Sequence, residues 1–242
     1  MHRCFVEDDF IIGSPSEITG DEASHISRVL RLGVGDKVEL FNGSGKIALS
    51  EILEISKQSV LVTVKEIYQS DSEPKAKIVL FQGIAKETKM DYIIQKATEL
   101  GVSEIVPVET EFSVVKIKDA DKKVQRWQKI ATDAAKQCKR GAVPKIAMPV
   151  SFGEALKELK EKEIYFAPYE GATEGSLKEL AFGKTPASAG YIIGPEGGFS
   201  EKEAKAFIDN RIPVVTLGKR ILRTETAATA TLAILGFCFG EM

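Results

Sequence analysis

Tyr191-Ile192-Ile193-Gly194-Pro195-Glu196-Gly197-Gly198-Phe199-Ser200 decides how this chain of 242 residues is read. An apolar run ends in three glycines and a proline, the pattern of a buried strand leading straight into a tight, exposed turn. A helix is expected at once. Ser200 and Glu203 have the spacing of a capping box, in which each side chain satisfies a backbone amide of the first turn. Glycines at such a turn let a ligand approach the main chain closely. An ordinary strand-to-helix turn is the plainer alternative, although one turn rarely needs so many glycines.

Outward from this stretch the same texture repeats. Residues 78–82, 105–108, 164–167 and 214–217 read as further buried strands. Residues 90–100 put Ile93, Ile94, Ala97 and Leu100 on one face ahead of Gly101, a helix closed by a glycine. Residues 121–140 predict a longer amphipathic helix, with Trp127, Ile130, Ala131 and Ala134 on its apolar side. Strands alternating with helices imply an α/β layer on a mostly parallel sheet. Ligands bind such sheets beyond the carboxyl ends of the strands. Residues 1–70 differ: runs at 37–41, 47–55 and 60–67, punctuated by Gly33, Gly35, Gly43 and Gly45, predict a small β-rich unit with a short helix over 25–32. The polar stretch Gln69-Ser70-Asp71-Ser72-Glu73-Pro74 marks the expected boundary, giving domains 1–72 and 73–242.

A second strand end stands out, Leu217-Gly218-Lys219-Arg220-Ile221-Leu222-Arg223-Thr224-Glu225-Thr226-Ala227. Such a loop can clasp a planar apolar group with its backbone while offering a guanidinium to an anion. A structural turn with surface arginines is the alternative. Thr224 is expected to cap the following helix. The uncharged run 226–240 is too short to span a membrane and reads as a buried helix, part of which could form a dimer face.

Composition narrows the function classes. The net charge of −2 hides an asymmetry: 7 Lys/Arg against 13 Asp/Glu through Glu73, and 26 against 22 after it. Residues 116–145 alone hold ten Lys/Arg and three Asp, a stripe suited to a polyanion or simply a solvated helix face. Cys4, Cys138 and Cys238 form neither a CxxC pair nor a disulfide framework, and with His2 and His25 alone no zinc set is expected. The reading is a cytoplasmic protein without a signal core or a metal. Gly43-Ser44-Gly45-Lys46 mimics a phosphate loop, but Leu40 and Ile47 break the motif. No GxGxxG follows a strand, and two histidines leave little room for a hydrolytic triad.

Together the two C-terminal motifs resemble the ribosomal RNA small subunit methyltransferase E family, of the SPOUT class. His25-Ile26-Ser27-Arg28-Val29-Leu30-Arg31 with Gly35-Asp36, and Gln95-Lys96-Ala97-Thr98-Glu99-Leu100-Gly101-Val102, extend the resemblance over essentially the whole chain. It implies a PUA-like β-barrel followed by a SPOUT α/β domain with a C-terminal trefoil knot, acting as a homodimer. It implies S-adenosylmethionine as cofactor, held by Phe166, Pro168, Gly194, Pro195, Glu196, Gly197, Leu217, Gly218, Ile221, Leu222, Thr224 and Ala227. The implied reaction is methylation of uridine N3 in small-subunit (16S) ribosomal RNA. Arg223 is the expected catalytic cation and Glu225 a proton acceptor or a brace. Arg28, Arg31, Lys116 and Arg140 are the expected RNA contacts. This chain departs from the family at Glu111-Phe112-Ser113, where Arg is common, and at Lys136-Gln137-Cys138-Lys139-Arg140. The competing readings are a non-catalytic RNA-binding or ribosome-assembly factor on a methyltransferase scaffold, and an α/β enzyme holding a nucleotide phosphate at the glycine loop.

Overall fold

The computed structural model describes residues 1–113, 119–172 and 175–242. They form two compact units, one of Met1–Glu73 with Ala135–Val143, the other of Pro74–Ala134 with Pro144–Met242.

In the first unit, strands β1 (Arg3–Phe5), β2 (Pro15–Thr19), β3 (Lys37–Phe41), β4 (Lys46–Ile55) and β5 (Ser59–Gln69) make one sheet in the order β1-β3-β4-β5-β2. All neighbours are antiparallel except β1 and β3. Alternating residues of the long strands, among them Val38, Leu40, Ile52, Val60 and Val62, point into one core. The expected helix over 25–32 is corrected: helix α1 spans Gly20–Ser24 and continues as one π-helical turn over His25–Val29. Asp21 and Glu22 suit its first turn, where the helix dipole favours acids.

The second unit is a parallel sheet, as expected. Strands β6 (Lys77–Gly83), β7 (Glu104–Glu109), β8 (Lys145–Ile146), β9 (Val150–Ser151), β10 (Ile164–Pro168), β11 (Ser188–Ile193) and β12 (Val214–Val215) are ordered β12-β10-β11-β6-β7-β8, with β9 also on β7. Every pair is parallel. The carboxyl ends of β6, β10, β11 and β12 therefore share one edge. Helices α2 (Glu87–Glu99), α3 (Ala120–Gln137), α4 (Phe152–Leu159), α5 (Leu177–Ala181), α6 (Glu201–Asp209) and α7 (Thr224–Cys238) complete the fold. Gly101, at φ +89°, closes α2 as its position predicted.

Residues after α3 turn through Lys139 at φ +61°. Helix α7 buries Ala228, Thr231, Leu232 and Leu235 but leaves Ile234 and Phe237 exposed, Phe237 by 65%. One apolar stripe of the uncharged run is thus on the surface. Among the described residues no helix is long and apolar enough to cross a membrane.

Candidate active site

The carboxyl edge of the second unit's sheet carries a cavity of about 400 Å³, lined from β10 by Pro168, from the loop after β11 by Gly194, Pro195, Glu196 and Gly197, and from the loop before α7 by Ile221, Leu222, Arg223, Thr224 and Ala227. Leu217 and Gly218 line a smaller cavity that shares Pro168, Ile221, Leu222 and Ala227 with it. Residues more than fifty positions apart in sequence are thus assembled by parallel strand pairing into one ligand-sized space. Phe166 stands off this space: it is fully buried and stacks on Tyr191 with ring centroids 6.0 Å apart, supporting the sheet behind the pocket.

The glycine loop is braced locally. Ser200 forms the predicted capping box, with its amide donating to Glu203 Oε2 (2.9 Å) and its Oγ accepting from the Glu203 amide (3.3 Å). Glu203 Oε1 also accepts from the Glu111 amide at 2.9 Å. The glycines are required by the protein's own packing. A Cβ on Gly194 would lie 2.9 Å from the Gly198 backbone, and one on Gly197 would lie 3.0 Å from Phe112. Internal packing thus accounts for these glycines on one side, while both still line the cavity on the other. Gly83 at the end of β6 is equally constrained, since its Cβ would lie 2.6 Å from the Pro195 nitrogen.

Thr224 does not cap α7, correcting the sequence reading. The cap position is Arg223, without a side-chain bond, and the Thr224 hydroxyl instead donates to the Gly194 carbonyl at 2.7 Å. It accepts from Gln82 Nε2 at 3.0 Å. A buried three-residue relay therefore ties β6, the glycine loop and α7 together. Tyr191, whose phenol burial pushes its pKa up, donates to the Ala228 carbonyl at 2.8 Å and adds a second tie between β11 and α7.

Charge at the pocket is organised by a residue the sequence reading did not single out. Lys89 on α2 lines the cavity, with Nζ 3.6 Å from Glu196 Oε1 and 3.5 Å from Glu225 Oε2. Glu196 Oε1 also accepts from the Lys86 amide at 3.1 Å, at the start of α2 where the helix dipole favours an anion. Burial works to raise the Glu196 carboxyl, but backbone amides and the nearby lysines outweigh it and leave its pKa below the ordinary value. Glu196 Oε2 and Glu225 Oε2 are buried and accept no hydrogen bond among the described residues. Arg223 is exposed at the rim. Glu225 is not among the residues lining the cavity; it meets it through Lys89. A polar residue inside an apolar strand, Gln82, was the available signal for the relay. Lys89 offered none beyond its place on the helix after β6.

The proposed RNA contacts divide. Arg28 and Arg31 are exposed in the first unit, Arg31 at φ +54°. Lys116 lies outside the described residues. Arg140 is 5% exposed, with its guanidinium on Glu73 at 2.8 Å. Glu73 also accepts from the amides of Gly141 and Ala142. Arg140 is therefore held on Glu73 as a structural clamp, with little guanidinium surface left to offer a phosphate. The basic stripe is similarly muted: Lys123 and Arg126 pair with Glu87, Lys136 with Glu22 and Lys145 with Glu104.

Residues 71–236 match the model of an RNA methyltransferase domain, and residues 18–65 match an RNA methyltransferase PUA domain. A ribosomal RNA small subunit methyltransferase E from Bacillus subtilis is 34% identical over 98% of this chain and 96% of its own length. One from Buchnera aphidicola is 33% identical over 99% and 94%. The crystal structure of the Neisseria gonorrhoeae ribosomal RNA small subunit methyltransferase E, bound to S-adenosyl methionine, superposes with a TM-score of 0.88 at 29% identity, covering 98% of this chain and 97% of that one. With an N-terminal PUA-like unit, an RNA methyltransferase domain and near-complete alignment to these relatives, the chain belongs to the ribosomal RNA small subunit methyltransferase E family.

Proposed function

We propose that the chain transfers a methyl group from S-adenosylmethionine to N3 of a uridine in small-subunit ribosomal RNA. The observation that carries this reading is the convergence of the glycine loop and the Arg223 loop on one cavity of about 400 Å³. The relatives, ribosomal RNA small subunit methyltransferases of which the Neisseria gonorrhoeae one is bound to S-adenosyl methionine, support both donor and substrate class. The residues fit the donor: the cavity has apolar walls at Pro168, Ile221, Leu222 and Ala227, and Glu196 brings a buried carboxylate oxygen without a hydrogen bond. Pro168, Gly194, Pro195, Glu196, Gly197, Leu217, Gly218, Ile221, Leu222, Thr224 and Ala227 are the proposed donor-binding set, with Phe166 behind it. When bound, the donor supplies a methyl group already activated on a sulfonium.

The chain's own residues must prepare the acceptor. Uridine N3 carries a proton at neutral pH and lies on the pairing edge, so the base has to be unpaired or flipped. Arg223, which lines the cavity, is the proposed cation that stabilises the imide anion forming as the proton leaves. Glu225 is the proposed proton acceptor. Its position off the cavity wall fits transfer through a water better than direct contact, with the carboxylate paired to the Lys89 ammonium. Arg28, Arg31 and Lys116 are proposed to bind phosphates. The same reading includes domains 1–72 and 73–242, a trefoil knot in the C-terminal segment, a cytoplasmic location, and a homodimer that covers the exposed stripe of α7.

Mass mapping of 16S ribosomal RNA from a strain lacking the protein tests the reading. One N3-methyluridine should disappear and return on complementation; an unchanged methylation map rejects it. Failure to bind S-adenosylhomocysteine would instead favour the non-catalytic scaffold.

A further inference from the structure

Sequence spacing offers no zinc set, yet the fold of the first unit gathers His2, Cys4 and Glu22, with one ligand-capable atom from each within 4.8 Å of the others. We propose that these three side chains bind a divalent cation of the zinc class, tetrahedral and tolerant of mixed sulfur, nitrogen and oxygen ligands. The proposal is independent of the methyl-transfer reading.

Three observations support it. His2 Nε2 is buried without a hydrogen bond among the described residues and lies 3.7 Å from Glu22 Oε2. That is too long for a hydrogen bond. It is close to the separation of about 3.3 Å expected for two ligand atoms held tetrahedrally at about 2.0 Å from one zinc. Second, Glu22 divides its oxygens: Oε1 takes the Lys136 ammonium, while Oε2 faces His2. Lys136 thus orients the carboxylate from outside, as partners behind metal ligands do, and leaves the other oxygen for the ion. Third, Cys4 is fully buried on β1 and aims its sulfur at this group.

A thiolate and a carboxylate bring two negative charges to the dication, and the Lys136 ammonium on the outer oxygen of Glu22 leaves the group at about +1. Binding requires the Cys4 sulfur as thiolate, so its proton leaves to solvent as the ion enters. Water or His25, whose ring centroid is 5.0 Å from that of His2, completes four ligands. The ion would staple β1, a three-residue edge strand, to α1.

The test uses the 242-residue chain without a histidine tag, stripped of metal and titrated with Co²⁺ in place of Zn²⁺. Saturation is expected at one equivalent, with a thiolate-to-cobalt band in the near ultraviolet and intense visible bands of tetrahedral cobalt. Zn²⁺ should abolish both and raise the melting temperature. Cys4→Ser should lose the near-ultraviolet band, and His2→Ala should weaken cobalt binding by about tenfold or more. His2→Ala alters a partly exposed side chain, so it decides the matter even where Cys4→Ser does not fold. Absence of a thiolate band at one equivalent overturns the proposal, as does wild-type cobalt affinity in His2→Ala.

Discussion

The glycine loop after β11 is gripped from several sides, whereas the loop between β12 and α7 closes on little more than one turn. In the first, Gly194 receives the Thr224 hydroxyl, Glu196 receives the Lys86 amide, and Gly83 yields its side-chain space to Pro195. In the second, the Gly218 amide donates to Thr216 Oγ1 at 3.1 Å, Gly218 sits at φ +105° with open space around it, and Ile221 is 86% exposed. One wall of the cavity is prefabricated; the other carries apolar surface that only a ligand or partner would cover. Preorganisation of one wall lowers the ordering cost of binding, and the looser wall carries Arg223, the proposed catalytic cation.

The largest expected effect belongs to the looser wall. Arg223→Ala should cut methyl transfer into ribosomal RNA by about a hundredfold or more, the usual cost of removing a donor aimed at developing charge. Donor affinity by calorimetry and the melting temperature should stay near wild type, because Arg223 is exposed and makes no side-chain cap. Wild-type turnover would move the catalytic cation elsewhere, with Lys89 the next candidate.

The tight wall should respond in the opposite way, through structure. Gly83→Ala places a Cβ 2.6 Å from the Pro195 nitrogen, and backbone cannot swing aside as a side-chain tip can. Overpacking of this kind costs about 1–3 kcal/mol, and displacement of the glycine loop should weaken donor binding as well. Gly218→Ala, by contrast, meets no neighbour and carries only the strain of its left-handed φ, about 1 kcal/mol. Equal losses of donor affinity in the two variants would erase the distinction between the walls.

Local pattern made much of this legible in advance. The strand ending at Ile193, the Ser200–Glu203 box and the glycine after α2 follow from residues within a few positions of one another. Long-range pairing was not legible. Thr224 looked like a cap because threonine before a helix commonly caps it, but Gly194, thirty residues earlier, offers a buried carbonyl that needs a donor. Arg140 stands in a basic neighbourhood, and its pairing with Glu73, 67 residues away, left no trace in the local pattern. Strands β1 and β2 were missed because their pairing with β3 and β5, not their own pattern, makes them strands. The charge network through Lys89 joins three elements and leaves no sequence signature.

Thr224→Val keeps the shape of the relay while removing both its bonds. Burial leaves the Gly194 carbonyl and the Gln82 amide with less than their full set of partners, a loss of about 2 kcal/mol. For a chain of this size that is a fall of roughly 4–8 °C in melting temperature. No fall would mean that other groups or water already satisfy the Gly194 carbonyl, and that the tight wall does not depend on α7.

The smallest expected effect is a matter of pH. Glu196 has a folded pKa below its ordinary value, so it stabilises the folded chain above the usual carboxylate range of about 4.3. That contribution fades as pH falls through the lowered folded value, where the carboxyl protonates in both states. Glu196→Gln removes the titrating group while keeping an acceptor for the Lys86 amide. The gap in melting temperature between wild type and Glu196→Gln should therefore be widest near pH 7 and narrow steadily below about pH 4. A gap that stays constant down to acid pH would show that Glu196 braces the loop by shape alone, and the tight wall would then owe its rigidity to Gly83, Thr224 and the Ser200 cap without help from charge.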